Sequence, residues 1–357
     1  MRKEARTLFV MPEDGIAPIV NAVERAQSSL DIKMFLFTEP RLVNAVIAAH
    51  LRGVKTRVML NPARRTGASE NAETQRMLTD AGVEVKNTHP GYQVTHEKSL
   101  VVDRRLALIK SLNWVSKNFT KTRDYALMTA DPQEVNEVSD CFNADWERSD
   151  FDSGMNARLI WCPGNGRAKI AHFIDQAKHY LYLQNERYQD LTIIEHLVRA
   201  KRRGVRIHLL SLPPHSLKEK KVFEGVNGLR LMRDVGVKIH KLKGLRLHAK
   251  MLLADGERAI VGSINLAPGS FDDRRELAIE ISDDHIIKRL EHTFLQDWDH
   301  SHRINLSDQG IIKEMESHGR QDYGSLALEP EVKTTRQDEL NQSHKDLNQS
   351  HKKDGNR

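Results

Sequence analysis

His96-Glu97-Lys98-Ser99-Leu100-Val101-Val102-Asp103 and His248-Ala249-Lys250-Met251-Leu252-Leu253-Ala254-Asp255 share one pattern, H-x-K-x4-D, at an offset of 248 − 96 = 152 residues. The same offset relates Ser111 to Ser263, Asn113 to Asn265, Phe119 to Phe271, Arg123 to Arg275 and Trp146 to Trp298. Asp124 and Glu276 keep an acid at that offset. Two copies of a motif embedded in the same surrounding pattern imply a duplicated unit that brings two sets of His and Lys together.

Working outward, the earlier part of each copy aligns at an offset of 151. Pro12 matches Pro163, Gly15 matches Gly166, Leu30 matches Leu181, and Arg52-Gly53-Val54 matches Arg203-Gly204-Val205. Gly82 and Gly236 differ by 154, so the intervening loops vary in length. Each copy opens with apolar residues at helical spacing, Ile16, Ile19, Val20 and Val23 or Ile170, Phe173, Ile174 and Ala177. Strands follow at 30–37 or 180–184, and a second helix ends at Arg-Gly, where glycine suits the cap. Further strands are expected at 55–60 or 206–210 and at 83–86 or 237–240. Then come the motif strand, its return strand and a last helix closing at Trp146 or Trp298. Strands alternating with helices predict an α/β fold. We expect two duplicated α/β/α halves with central mixed, mainly parallel sheets about a pseudo-two-fold axis. Residues 1–150 form the first repeat, 151–305 the second, and 306–357 a polar tail. In the tail, Leu340-Asn341-Gln342-Ser343-His344-Lys345 recurs as Leu347-Asn348-Gln349-Ser350-His351-Lys352, too polar to bury a core, so disorder is expected there.

Side chains two apart on a strand share a face, so His96 and Lys98, and likewise His248 and Lys250, are expected to point together. Asp103 and Asp255 begin tight turns, where a structural role is expected, although they belong to the signature. The hairpins return Ser111-Leu112-Asn113 and Ser263-Ile264-Asn265 beside the motifs. Two Lys charges suit a phosphate. One imidazole can attack phosphorus while the other protonates the leaving oxygen, with Lys and Asn stabilising the phosphoryl oxygens. Such a set needs no metal or other cofactor. Each His needs a carboxylate on its second ring nitrogen, and Asp124 and Glu276 are the natural suppliers.

Composition sets outer limits. With 357 residues the chain accommodates two domains or one pseudo-symmetric domain. Its two cysteines, Cys141 and Cys162, have no metal spacing and make a disulfide scaffold unexpected. Neither a signal-peptide pattern nor a run of about 18 apolar residues is present, so a cytoplasmic or peripheral membrane protein is expected, with non-classical export left open. Net charge is +6; residues 306–357 hold 8 Lys/Arg and 10 Asp/Glu, so the tail carries −2 and the body +8. A basic body suits anionic substrates such as phospholipid surfaces or nucleic acid, and it also serves solubility alone.

The paired motifs resemble those of the phospholipase D superfamily over about residues 5–303. The resemblance implies a phosphohistidine intermediate, with His96 as nucleophile and His248 as general acid/base. It implies that the orienting acids act across the dyad, Glu276 on His96 and Asp124 on His248. Lys98, Lys250, Asn113, Asn265, Asp103 and Asp255 complete the candidate catalytic set, with Ser111 and Ser263 as candidate substrate contacts. Gly262-Ser263-Ile264-Asn265 keeps the family's Gly-Ser-x-Asn form, whereas the first copy has Lys110 for glycine. Lys110 is therefore expected to narrow the pocket or to add a phosphate contact. The first functional reading is a phospholipase D or phosphatidyltransferase, complete as a monomer because both half-sites lie in one chain, acting on a phospholipid in peripheral contact with a membrane. A metal-independent nuclease or nucleic-acid end-processing enzyme is the alternative, and a non-catalytic phosphate- or lipid-binding protein ranks last.

Overall fold

The computed structural model describes residues 5–62, 69–154, 156–216 and 222–319. In the first repeat the chain runs β1 (Arg6–Met11), α1 (Ala17–Glu24), β2 (Ser29–Met34), α2 (Pro40–Leu51), β3 (Lys55–Leu60), α3 (Ala72–Asp80), β4 (Glu84–Asn87), β5 (Val94–Thr95), β6 (Ser99–Val102), β7 (Leu106–Lys110), α4 (Ser116–Thr120), β8 (Thr122–Thr129) and α5 (Pro132–Glu147). The second follows the same order: β9 (Leu159–Cys162), α6 (Gly166–Asp175), β10 (Tyr180–Gln184), α7 (Leu191–Arg202), β11 (Arg206–Leu210), α8 (Val222–Asp234), β12 (Lys238–Leu242), β13 (Arg246–Leu247), β14 (Met251–Ala254), β15 (Arg258–Gly262), α9 (Pro268–Asp272), β16 (Arg274–Ile281) and α10 (Asp284–Asp299).

Local chemistry explains the boundaries. Leu42, Val43, Val46 and Ala49 put one apolar stripe of α2 into the core. The helix stops at Arg52, and Gly53 follows at φ 93°, as Gly204 does after α7. Asp131 and Asp190 cap α5 and α7 by accepting from Gln133 N and Glu134 N, and from Ile193 N.

Two mixed sheets result, in the orders β1-β8-β7-β6-β2-β3-β4 and β17-β12-β11-β10-β14-β15-β16-β5, where β17 (Ser301–Arg303) is an added edge strand. The α/β class and the duplication are as expected. The mainly parallel character is not. Parallel pairing joins β2, β3 and β4, and β10, β11 and β12, where helices make the crossovers. From each motif onward the pairing is antiparallel: a tight turn joins β6 to β7 and β14 to β15, and a short connection carrying α4 or α9 returns the chain to β8 or β16.

The repeats share one core. Val101, Ala107, Ile109, Tyr125 and Leu127 of the first sheet belong to the same buried cluster as Ile160, Leu252, Val261 and Ile279 of the second. A second cluster, including Ile19, Val46, Leu100 and Trp114, fills the space under α1 and α2. Arg6 reaches across the repeats, binding Glu134 and Asp283. Trp146 stacks on Phe142, and Trp298 stacks on His240 at 3.9 Å, so both are packing residues.

The polar tail begins later than expected. Asp308–Ser317 forms a helix, α11, and Leu306, Ile311 and Met315 are buried in the second-repeat core. Ile311 and Met315 are four apart, which places both on one helical face. The heptad-length repeat at 340–352 lies outside the described residues.

Candidate active site

The motif residues are not on strands. Strand pairing stops at Thr95 and Leu247 and resumes at Ser99 and Met251, so each H-x-K is the link between two strands. Those strands belong to different sheets. β5 pairs in parallel with β16 of the second repeat before the chain enters β6 in the first sheet. Reciprocally, β13 pairs in parallel with β8 of the first repeat before β14 enters the second sheet. The arginine carbonyl of the opposite repeat holds each crossing: His96 N and Glu97 N donate to Arg275 O at 2.9 and 2.8 Å, and His248 N donates to Arg123 O at 3.2 Å. A residue that hops between sheets is satisfied by a lone carbonyl rather than by a ladder, which ends the strand at the histidine. Lys98 and Lys250 each turn back to donate to the carbonyl of their own motif histidine.

The side chains of the same arginines lock the repeats together. Arg123 forms a two-pronged ion pair with Asp297 of α10 at 2.8 and 2.9 Å, and Arg275 bonds Asp145 of α5 at 3.0 Å. Asp145 and Asp297 are themselves 297 − 145 = 152 apart, so the exchange is reciprocal.

The histidine–acid pairs cross the dyad in the same way. His96 Nδ1 lies 2.8 Å from Glu276 Oε2, and His248 Nδ1 lies 2.7 Å from Asp124 Oδ1. Both acids are fully buried, whereas the histidine side chains retain 11% and 13% exposure. The two acids sit in different surroundings. Asp124 accepts from Ser111 Oγ at 2.6 Å, Thr122 Oγ1 at 2.5 Å and Asn118 Nδ2 at 3.0 Å. Burial pushes its pKa up, but His248, Lys250 and the Ser111 hydroxyl more than offset this, and it is held below the usual carboxylate range. Burial pushes the Glu276 carboxyl above its usual value, against opposing effects of Lys98, Ser263, Arg274 and Ser270. His96 is driven well below the ordinary imidazole value, first by burial and then by the charges of Lys98, Lys250, Arg274 and His248. Lys98 is likewise lowered, chiefly by burial.

The remaining expected site residues separate into those near the chemistry and those that support it. Asn113 and Asn265 are buried at equivalent places, each with a side-chain oxygen that has no protein partner. The hydroxyls of Ser111 and Ser263 are buried and bonded within the protein. Ser111 donates to Asp124 and accepts from Tyr125 N, and Ser263 accepts from Leu277 N beside Glu276, so both hold the acid-bearing strands. Asp103 and Asp255 are at the far ends of β6 and β14, not among the catalytic groups. Each adopts positive φ, 52° and 55°, and its carboxylate accepts three consecutive backbone N–H groups, at Gln27, Ser28 and Ser29 or at Lys178, His179 and Tyr180. They are turn anchors, which explains an aspartate at a fixed distance from the lysine. The Lys110 ammonium is buried 4.9 Å from the Trp114 ring centre without a hydrogen-bond partner in the protein.

Three groups near the site went unread in the sequence. Lys33 of β2 is wholly buried and bonds Glu97 at 3.0 Å and Asp145 at 2.6 Å. Glu97, Cys141 and Asp145 converge closely enough to hold a cation, and the Lys33 ammonium is the cation they contact. Glu186, just after β10, pairs with Lys250 at 2.7 Å. Phe35, at the corresponding place after β2 (186 − 35 = 151), packs edge-on to His96 with ring centres 5.1 Å apart and lies under Lys98 at 5.4 Å. Lys33 matches Gln184 and Phe35 matches Glu186, so a search for identical pairs passes over both.

Two duplicated α/β halves that exchange strands and jointly present paired His and Lys residues define a phospholipase D superfamily site. The chain belongs to the family described as cardiolipin synthase, PLD-like domain, whose model matches residues 19–146 and 170–298. It is similar to cardiolipin synthase B of Shigella flexneri, at 26% identity over 322 residues that cover 76% of this chain and 75% of that protein. Human mitochondrial cardiolipin hydrolase is 31% identical over 137 residues, 38% of this chain. That match spans about half the length of the hydrolase, 52%. The fold is shared with the phosphatidylserine synthase of Haemophilus influenzae Rd KW20, with a TM-score of 0.69 at 10% identity, covering 90% of this chain and 94% of that one. Among the described residues no helix is long and apolar enough to cross a membrane.

Proposed function

We propose that the protein is a phosphodiesterase/phosphatidyltransferase that cleaves a phospholipid headgroup phosphodiester through a phosphohistidine and passes the phosphatidyl group to water or an alcohol. The observation that carries this reading is the pair of crossed His–carboxylate contacts at 2.8 and 2.7 Å. A carboxylate on Nδ1 fixes the tautomer and leaves Nε2 for chemistry. His96, with its depressed pKa, is neutral at pH 7 and has an Nε2 lone pair for attack on phosphorus. As that bond forms, the P–O bond to the leaving group breaks and His248 Nε2 delivers a proton to the departing oxygen. His248 then takes the proton of water or an alcohol, whose oxygen attacks phosphorus. The P–N bond breaks and returns its electron pair to His96. Lys98, Lys250, Asn113 and Asn265 stabilise the phosphoryl oxygens.

The names of the relatives support a phospholipid substrate: a cardiolipin synthase, a cardiolipin hydrolase and a phosphatidylserine synthase. One chain supplies both half-sites, so a monomer in peripheral contact with lipid is sufficient. The test offers phosphatidylcholine with ethanol, and labelled single- and double-stranded DNA, to wild type, His96→Ala and His248→Ala in excess EDTA. Phosphatidylethanol formation lost in both variants is the expected result. DNA cleavage without lipid turnover establishes the nuclease alternative instead, and activity that vanishes in EDTA and returns with a divalent ion contradicts the metal-free mechanism.

A further inference from the structure

The two halves of the site are chemically unequal at one pair of positions, and the inequality bears on the acceptor. Beside His96 and Lys98 the wall is the Phe35 ring. Beside Lys250 the wall is the Glu186 carboxylate, 2.7 Å from the ammonium. Lys250 itself is only 2% exposed, whereas the Glu186 side chain keeps 15% exposure, similar to the two motif histidines. Glu186 also lies within electrostatic reach of His248, and although burial opposes ionisation, Lys250 and His248 hold it as a carboxylate. Each half therefore adds one group to the symmetric machinery: an aromatic face on the His96 side and a hydrogen-bond acceptor on the His248 side.

We propose that Glu186 is a specificity-determining residue that accepts a hydrogen bond from a second hydroxyl of the incoming alcohol and so selects a neutral polyol acceptor over a simple alcohol. This rests on the proposed function, in which His248 serves the side where the leaving group departs and the acceptor enters. An ionised carboxylate only accepts hydrogen bonds, so it is complementary to a donor on the acceptor molecule. The donors available to an alcohol are a further hydroxyl or an ammonium group. The Lys250 ammonium already neutralises Glu186 and repels a second cation, which leaves the hydroxyl. Phe35, with no polar atom, offers nothing to a polyol, and its side of the site suits the glycerol backbone of the phosphatidyl group.

The test compares glycerol, 1-propanol and ethanolamine as competing acceptors at equal concentration, with phosphatidylcholine as donor. Product partition is read by mass spectrometry. Partition depends on the acceptor step alone, so a general loss of activity does not move it. Wild type is expected to favour glycerol, and Glu186→Gln is expected to lower the glycerol-to-propanol product ratio by about tenfold or more, the scale of one hydrogen bond to a charged group. Glu186→Asp, which keeps the charge, is expected to retain a glycerol preference and serves if the glutamine variant is inactive. Equal partition in wild type and Glu186→Gln, a glycerol preference absent from both wild type and Glu186→Asp, or an ethanolamine preference in wild type overturns the proposal. Wild type that releases choline yet transfers to none of the three overturns it while sparing the lipase reading; wild type that does not turn over phospholipid overturns both.

Discussion

Replacing Lys110 by Met is expected to stabilise the protein at neutral pH, and to do so progressively less as the pH rises. Lys110 stands where the second repeat has Gly262, and the strand pairing is the same: Lys110 lies opposite Ala126 and Gly262 opposite Ala278. Its ammonium is 1% exposed, contacts the Trp114 face and has no hydrogen-bond partner. Burial lowers its pKa from 10.5 to about 7, with Glu97 opposing that change. In the unfolded chain the group keeps its ordinary value. Between pH 7 and 10.5 the unfolded chain thus binds a proton that the folded chain lacks. The destabilisation is fully present below pH 7, diminishes as the pH rises, and is gone above 10.5. At RT ln 10 per pH unit, the interval corresponds to roughly 5 kcal/mol. Met preserves length and apolar contact without the charge. Equilibrium urea unfolding of wild type and Lys110→Met at pH 7, 8, 9 and 10 measures the difference. The variant should be the more stable by several kcal/mol at pH 7, with the gap closing by about 1.4 kcal/mol per pH unit. A wild type at least as stable as the variant at pH 7, with a gap that ignores pH, refutes the reasoning and means that the ammonium has found a partner.

Other perturbations follow from the same contacts. Lys33→Gln, which installs the second-repeat residue, strands Glu97 and Asp145 in the interior and should cost about 3–5 kcal/mol of stability in urea unfolding; an unchanged midpoint contradicts the buried ion cluster. Gly262→Ala puts a methyl group 2.4 Å from Ala278 Cα and Leu277 O, both backbone, and should destabilise by at least about 1–3 kcal/mol because neither can yield cheaply. Glu276→Gln keeps the shape beside His96 but removes the charge; kcat should fall roughly tenfold to a hundredfold with thermal stability nearly unchanged, and an undiminished kcat contradicts the orienting role. Because burial and four nearby cationic groups depress His96, an NMR titration should find it neutral at pH 6.5 and protonating only well below, so the nucleophile survives mild acid; protonation above pH 6.5 counts against its assignment.

Much of this architecture was legible because duplication writes the same constraint twice. The 152-residue offset carried the histidines, lysines, asparagines and crossed acids, and helix ends at Arg52-Gly53 and Arg203-Gly204 fell where local chemistry put them. What the offset hid was whatever the copies do differently. Glu186 against Phe35, and Lys33 against Gln184, are mismatches, and it is the mismatches that make the half-sites unequal. Asp145 and Asp297 did repeat, but their meaning depends on arginines of the opposite repeat, a partnership no local reading supplies. The strand expected at each H-x-K failed for the same reason. Those residues are held by a carbonyl of the other repeat, so pattern along one strand could not reveal that the chain was changing sheets. The serines of the Gly-Ser-x-Asn segment and the motif aspartates were legible as fixed positions, but the bonds of their hydroxyls and carboxylates to neighbouring backbone and acids were not.

The most direct measurement is the identity of the covalent intermediate. Wild type and His248→Ala are mixed with phosphatidylcholine, quenched within a turnover, digested at a pH that preserves phosphoramidates, and mapped by mass spectrometry. The account predicts a phosphatidyl adduct on His96 in wild type and none in His96→Ala; in His248→Ala the adduct both forms and breaks down more slowly, because the first step has lost its acid and the second its base. An adduct on His248, or burst turnover of lipid with no histidine adduct, contradicts it.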